Sequence, residues 1–326
     1  MEKDFTKGIG LVLAGGGGKG AYQLGVLKAL KEKGLLDEVT AISGASIGAV
    51  NAMLYAQENI DIMYKAWEEI DMLTLFDVEL EMLLNNRPYF SRSEMLSLME
   101  KFIDYDLVKY GKYKIYNSIC KINNDGSAPV AEYRCLNDLD IENIKKVLLA
   151  STALPVIYEA VEIDGAHYRD GGICDNEPIK PLYDAGIREF IVIGLKHGKK
   201  INTDKWPDAN IIAIYPSRDL GDLVDGTLDF TSKSILYRQL LGYKDGLRSV
   251  KTHFEKDEMY INLEPQLALS DYNEVLMNLR TQSTIKTVES RVNANIDKFN
   301  AIAKKYADFW INKIIDTIVN NIKTGL

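Results

Sequence analysis

Ser46 lies in the segment Gly44-Ala45-Ser46-Ile47-Gly48, which has the GxSxG spacing of a nucleophile elbow. Residues 39–43 are typical of a short buried strand, and residues from about 46 to 57 predict a helix. A serine on a sharp strand-to-helix turn presents its hydroxyl to a carbonyl carbon, and small residues two positions before and after it let the turn pack tightly. This segment therefore predicts a nucleophilic serine.

A second segment, the glycine loop at residues 15–20 (GGGGKG), follows a predicted buried strand at 8–14 and opens a predicted helix at 19–33. N–H groups at a helix start point outward with the positive end of the helix dipole behind them, so they bind anions. The anion is either a phosphate or a developing oxyanion. For an oxyanion, the expected donors are the N–H groups of Gly16, Gly17 and Gly18, and the Lys19 ammonium would add positive charge unless it is simply solvated.

Two phosphate-binding interpretations of the glycine loop differ in strength. Lys19 is followed by Gly20, not by Ser or Thr, so the Walker A pattern lacks its magnesium ligand. GxGxxG is matched at Gly15, Gly17 and Gly20, which keeps a dinucleotide-binding oxidoreductase open as an alternative. However, the acidic residues at 37 and 38 precede the second strand, whereas that fold needs a carboxylate at its end.

Asp170 is the preferred candidate for the base that a serine nucleophile requires. It is followed by Gly171 and Gly172 and comes after strand-like stretches at 158–164 and 166–169. The two glycines would permit a turn that aims the carboxylate into a cleft, although such a segment is also common in plain turns. The three histidines, His167, His197 and His253, lie at a strand end or among charged residues and are weaker candidates.

Four segments in order, GGGGKG at 15–20, GASIG at 44–48, ASTALP at 150–155 and DGG at 170–172, resemble the patatin-like phospholipases. The resemblance spans residues 8 to about 180. It implies a three-layer fold, a Ser46/Asp170 dyad in place of a triad, and a glycine-loop oxyanion hole. It also implies a phospholipase A, lysophospholipase or carboxylesterase activity on lipid esters at a membrane or micelle surface, without metal or organic cofactor. A noncatalytic member of this fold serving as a regulatory protein is a further alternative.

This scheme sets a requirement on Asp170. Ser46 Oγ would attack the ester while Asp170 accepts its proton, and water would then release the acyl group with the same carboxylate as base. A free aspartate has a pKa of ~3.9, so we expect the site to raise it by partial desolvation.

The order strand, helix, strand, helix at the N-terminus predicts an α/β fold with a mainly parallel sheet flanked by helices. Further predicted elements are an antiparallel hairpin at 113–122 and 129–136, a helix at 141–151, and buried strands at 188–194 and 209–215. Beyond about 230 the pattern is mostly helical, with one strand expected at 258–263. We predict a single domain over 1–326, with a catalytic core at about 8–215 and a helical extension at about 216–326.

The composition excludes several classes of protein. Of the 326 residues 46% are hydrophobic and 26% charged, as in folded soluble proteins, and 47 acidic against 39 basic residues give a net charge of −8, which disfavours nucleic-acid binding. The three cysteines form no CxxC pair, so no zinc site is indicated, and Cys120 and Cys135 are expected to be core thiols of a protein in a reducing compartment.

Membrane contact is expected to be peripheral at most. No signal peptide is evident, and the uncharged stretch 40–57 is too rich in small and polar residues for a membrane span, which favours a cytoplasmic protein. An amphipathic helix is predicted at 307–323, for packing on its own domain or for an interfacial or homodimer contact. The apolar segment 72–84 favours a core helix, with an acyl-pocket lining or a lid as alternatives. Head group and acyl position are not specified by these patterns.

Overall fold

The computed structural model describes residues 5–70, 93–123, 126–155, 157–282 and 285. The chain divides into one compact unit at Met1–Val275 and a second at Leu276–Leu326. The site described below lies in the first unit. The single-domain assignment remains a prediction, and the segments 72–84 and 307–323 lie outside the described residues.

A single mixed sheet forms the centre of the first unit. Its strand order is β5-β6-β3-β2-β1-β7-β8, and β4 pairs with β3 over Tyr116–Lys121, outside this order. The neighbours from β3 to β8 through β2, β1 and β7 are parallel, and β4, β5 and β6 pair antiparallel. The strands are β1 Ile9–Leu13, β2 Val39–Ala45, β3 Lys114–Ile122, β4 Val130–Cys135, β5 Val161–Ile163, β6 Ala166–Asp170, β7 Glu189–Ile193 and β8 Asn210–Ile214. The predicted α/β class and hairpin are confirmed.

Helices cover the two faces of this sheet. They are α1 Ala21–Glu32, α2 Ile47–Tyr55, α3 Ile60–Glu69, α4 Ser93–Phe102, α5 Tyr105–Tyr110, α6 Ile141–Ser151, α7 Lys180–Asp184 and α8 Ser232–Ser249. A further helix, α9, covers residues 258–282. Leu11 and Leu13 of β1 join the larger apolar core, whereas Val12 joins a smaller one with Leu182 and Phe190. Alternate residues of one strand therefore enter cores on opposite faces, as a three-layer arrangement requires.

The strand expected at 258–263 is wrong, because these residues begin helix α9. Asp257 Oδ1 accepts hydrogen bonds from the N–H groups of Met259 at 3.0 Å and Tyr260 at 3.3 Å. This N-terminal cap satisfies donors that a first helical turn leaves free, and it overrides the β preference of Tyr260 and Ile261.

Cys120 is not the free thiol expected from the sequence. It forms a disulfide with Cys174, with a Cα–Cα distance of 5.5 Å, which joins β3 to the loop after β6. Cys135 is a free thiol, and burial raises its pKa. The cysteine count was a poor guide, because the pair is 54 residues apart in sequence and is brought together only by the β3–β6 pairing.

No helix in the described part of the chain is long and apolar enough to cross a membrane. Over the same residues, His, Cys, Asp and Glu side chains form no cluster suited to a metal ion.

Candidate active site

Ser46 occupies the turn between β2 and α2 in a strained conformation, with φ 53° and ψ −125°. The turn is held by the close approach of α2 to β1. A Cβ on Gly48 would lie 2.1 Å from the carbonyl oxygen of Leu13, so only glycine fits there. The small residue two positions after the serine is thus required by packing, which explains the GxSxG spacing.

Asp170 ends β6 and pairs across the sheet with Ile119 of β3. Its Oδ2 accepts a hydrogen bond from Ser46 Oγ at 2.6 Å, and its Oδ1 accepts one from the N–H of Gly172 at 2.8 Å. The residue is 3% exposed, and burial raises the pKa of its carboxyl to about 6 although both hydrogen bonds act to lower it. The carboxyl group beside the serine hydroxyl therefore changes its protonation state close to neutral pH.

Ser151 contributes a contact that sequence reasoning missed. Its buried Oγ accepts a hydrogen bond from the N–H of Ser46 at 3.0 Å and donates one to the carbonyl oxygen of Ser118 at 2.8 Å. Ser151 thus connects the Ser46 turn to β3, the strand that pairs with Asp170. The only available signal was its place in the ASTALP segment.

The glycine loop lies beside the serine. Gly15, Gly16 and Gly17 line the same cavity as Ser46, and Gly17 has a φ of +55°, which favours glycine. Within the described residues the N–H groups of Gly16 and Gly17 have no intramolecular acceptor, whereas Lys19 N–H bonds to Gly16 O at 3.2 Å. Two unengaged N–H groups beside a serine hydroxyl have the arrangement of an oxyanion hole.

Gly18 and Lys19 do not line this cavity. A Cβ on Gly18 would lie 2.1 Å from the carbonyl oxygen of Asp229, and the Lys19 stem lies against Gly226. Burial lowers the pKa of Lys19, and the Asp219 carboxylate is the first of three neighbouring aspartates that raise it. The structure thus places the Lys19 ammonium near the carboxylates of Asp219, Asp222 and Asp225, outside the cavity lining.

Asn176 is a second site residue that the motifs did not reveal. Its backbone oxygen accepts a hydrogen bond from Gly15 N–H at 3.2 Å, and its Nδ2 donates to Gly15 O at 3.1 Å. Asn176 also lines the cavity, so this residue joins the loop after Asp170 to the start of the glycine loop.

The cavity above the serine has a volume of about 350 Å³ and is mostly apolar. Among its described lining residues no Lys, Arg or His is present, and Asp170 is the only carboxylate. Its apolar walls come from α2, α3, α4 and three loops: Ile47, Val50, Leu54, Ala66, Ile70, Leu98, Met99, Phe102, Ile103, Leu154, Ile157, Ile173, Leu223, Leu228 and Phe230. Such a cavity can hold an uncharged hydrocarbon chain.

The sequence profile described as patatin-like phospholipase matches residues 11–183, which is more than half of the chain. The chain belongs to the patatin-like phospholipase family. The matched stretch contains the glycine loop, the serine turn and the Asp170 loop, and it ends before α8.

Curated relatives agree with this assignment. The chain is 28% identical over 232 residues to a lysophospholipase NTE1 of Cryptococcus neoformans, an alignment that covers 67% of this chain and 12% of that protein. It is 26% identical over 217 residues to an uncharacterized NTE family protein of Mycobacterium bovis, covering 64% of this chain and 55% of that one. This patatin-like chain therefore spans only part of the length of these relatives.

Among solved structures, VipD from Legionella pneumophila superposes with a TM-score of 0.50 and 16% sequence identity, over 76% of this chain and 67% of VipD. At this identity the similarity supports the patatin-like fold alone.

None of the three histidines of this patatin-like chain lines the cavity. His167 is exposed on β6, His197 Nδ1 lies 2.8 Å from Pro216 O, and His253 lies beside Thr252. The serine hydroxyl therefore has the Asp170 carboxylate, and no imidazole, as its hydrogen-bond partner.

Proposed function

We propose that this chain hydrolyses ester-linked acyl chains of lipids, with Ser46 as nucleophile and Asp170 as general base. The observation that carries the proposal is the 2.6 Å hydrogen bond from Ser46 Oγ to Asp170 Oδ2 in the wall of an apolar cavity. The unengaged N–H groups of Gly16 and Gly17 beside it supply the third requirement, an oxyanion hole.

The chemistry follows from these contacts. As Ser46 Oγ attacks the ester carbonyl carbon, Asp170 takes the hydroxyl proton, and the carbonyl oxygen becomes an oxyanion that accepts hydrogen bonds from the glycine loop. Collapse of the tetrahedral species breaks the bond to the alcohol, which leaves with the proton from Asp170. Water then attacks the acyl-enzyme with Asp170 again as base, and the fatty acid is released.

The substrate class follows from the cavity lining. Hydrocarbon would fill the apolar walls, and a charged head group would stay outside because the described lining offers no cation to pair with a phosphate. Relatives from Cryptococcus neoformans and Aspergillus terreus carry the name lysophospholipase, so we propose a lysophospholipid as the first substrate to test, with diacyl phospholipids and simple carboxylic esters after it.

A fluorophosphonate probe tests the nucleophile directly. The purified full chain is treated with the probe, and the adduct is located by peptide mass spectrometry with Ser46→Ala as the control. We expect one adduct on Ser46 that the variant lacks, together with release of fatty acid from a lysophospholipid by the untreated protein. No adduct and no ester hydrolysis would overturn the proposal and favour a noncatalytic member of the fold.

The dinucleotide alternative rests on the glycine spacing alone. Asp37 and Glu38 lie before β2, and the far end of β2 leads directly into the Ser46 turn, where a carboxylate for a ribose would have been needed.

A further inference from the structure

Two buried amide side chains, Gln23 of α1 and Asn51 of α2, lie in direct contact behind the glycine loop. Both are 0% exposed, and Asn51 Nδ2 donates a hydrogen bond to Gln23 Oε1 at 2.8 Å. Neither residue lines the cavity, and neither belongs to the motifs that identified the family. Two fully buried amides are costly to hold in an apolar core unless every polar atom is bonded.

Each N–H of this amide pair has an acceptor. Gln23 Nε2 donates to Ala14 O at 2.8 Å and to Ile193 O at 3.4 Å, and Asn51 Nδ2 also donates to Gly20 O at 3.1 Å. Trp67 Nε1 donates to Asn51 Oδ1 at 2.9 Å. Because every donor is engaged, flipping either amide would leave buried groups unbonded, so this single arrangement is strongly preferred.

The acceptors of the amide pair bracket the glycine loop. Ala14 immediately precedes the loop and Gly20 is its last residue, whereas Asn51 lies on the helix that begins directly after Ser46. The pair therefore connects both ends of the loop to the nucleophile helix.

We propose that Gln23 and Asn51 are positioning residues that set the geometry of the oxyanion hole relative to Ser46. The inference rests on the proposed hydrolase function. Loss of one oxyanion donor typically costs ~10² to 10³ in turnover. A misplacement of ~1 Å caused by a remote change can cost ~10²-fold. We therefore expect loss of the amide pair to lower kcat by ~10- to 100-fold.

The variants are chosen to keep volume and remove hydrogen bonds. Gln23→Met and Asn51→Leu each replace an amide by an apolar side chain of similar size, and the double variant removes the whole pair. Tyr22→Phe is the matched control, because Tyr22 is the neighbour of Gln23 on α1, is 0% exposed, and donates one buried hydrogen bond at 3.0 Å to Asp245 on α8, away from the loop.

The turnover of a short soluble 4-nitrophenyl ester is measured across a range of pH. Each kcat is divided by the fraction of folded protein, which is determined by near-ultraviolet circular dichroism. Each amide variant should lose ~10- to 100-fold in kcat with KM and the midpoint of the pH profile unchanged, since substrate contacts and Asp170 are retained. The double variant should lose little more than either single one, because the two amides act as a unit. Tyr22→Phe should lower the melting temperature and leave kcat within about twofold of the unmodified chain.

The inference is overturned if kcat of both amide variants stays within about twofold of that of the unmodified chain. It is also overturned if Tyr22→Phe loses as much kcat as the amide variants do. If one amide variant does not fold, the other amide variant decides by the same criteria. Failure of the proposed function itself has a different signature, namely no turnover and no fluorophosphonate adduct in the unmodified chain.

Discussion

Asp170 combines deep burial with a direct hydrogen bond to Ser46, and these two facts fix its pH behaviour. Its carboxyl must be ionised to accept the serine proton, and burial raises its pKa to about 6. We predict that kcat/KM for a soluble ester rises about tenfold per pH unit below pH ~6 and levels off above it. A pH-rate profile in constant ionic strength checks this. A midpoint near the ordinary aspartate value of ~3.9 would contradict the burial argument.

The same pKa shift makes Asp170 a source of instability at neutral pH. The folded chain holds the proton up to about pH 6, whereas an unfolded aspartate loses it near pH 3.8, so this group's stabilising contribution is present below pH ~4 and is lost as pH rises to ~6. The loss is about 3 kcal/mol at most, at about 1.4 kcal/mol per pKa unit. Asp170→Asn should therefore unfold at higher urea concentration than the unmodified chain at pH 8, while its turnover falls by ~10³ or more.

The measurement for Asp170→Asn is the difference in the free energy of unfolding from the unmodified chain at pH 8 and at pH 4. Taking the difference cancels the titration of other groups. We expect Asp170→Asn to have the larger free energy of unfolding at pH 8, and this difference to shrink towards pH 4. If the variant is instead less stable than the unmodified chain at pH 8, the Ser46 hydrogen bond outweighs the cost of burying the Asp170 charge.

Single residues were predictable from sequence only where a local motif marks them. Ser46 and Asp170 stand in short glycine-containing segments whose backbone requirements are local, and the structure brings the two side chains together across 124 positions. Ser151 and Asn176 reach their partners across 105 and 161 positions and carry no such local pattern. Lys19 shows the opposite case, since its place in the motif did not reveal the carboxylates that surround it.

At the scale of elements, local periodicity predicted most helices and strands but not their pairing. Strand β3 pairs with β2 over its first half and with β6 over its second, and this register puts Asp170 opposite Ile119. Nothing in the sequence of β3 specifies that arrangement. The predicted strand at 258–263 is wrong for a related reason. The β preference of its residues does not include the capping contact by which Asp257 starts α9.

Helices α1 and α8 pack with their backbones in contact, which gives the prediction at this scale. A Cβ on Gly242 of α8 would lie 2.0 Å from Tyr22 O, and one on Gly25 of α1 would lie 2.0 Å from Gln239 O. Gly242→Ala must push the helices apart, at a cost of ~1–3 kcal/mol or more that exceeds the ~1 kcal/mol gained in helix propensity.

We therefore expect Gly242→Ala to lower the free energy of unfolding in urea, and Lys233→Ala, an exposed position on the same helix, to leave it nearly unchanged. Because α1 also carries Gln23, the destabilised variant should lose some turnover as well. Equal stability of the two variants would mean that α8 docks more loosely on α1 than the glycine contacts imply.

At the scale of the whole molecule, composition indicated a folded chain and disfavoured nucleic-acid binding, but it misjudged the cysteines. The Cys120–Cys174 bridge closes a segment of the chain that contains β4, α6, β5 and β6. Cys174 follows Asp170 by four positions, so the bridge joins the loop after Asp170 to β3. No local sequence pattern indicates this covalent link.

Closing a loop between residues 54 positions apart should stabilise the fold by about 4 kcal/mol in the chain-entropy description, with native strain subtracting from this value. We predict that a reductant lowers the urea midpoint of the unmodified chain, because the reduced unfolded chain regains that freedom. The double variant Cys120→Ala/Cys174→Ala should unfold at the reduced midpoint whether or not reductant is present. Cys135→Ala should keep the full sensitivity to reductant, since Cys135 is the free thiol. Identical midpoints for the oxidised and reduced unmodified chain would show that the bridge does not constrain the unfolded state.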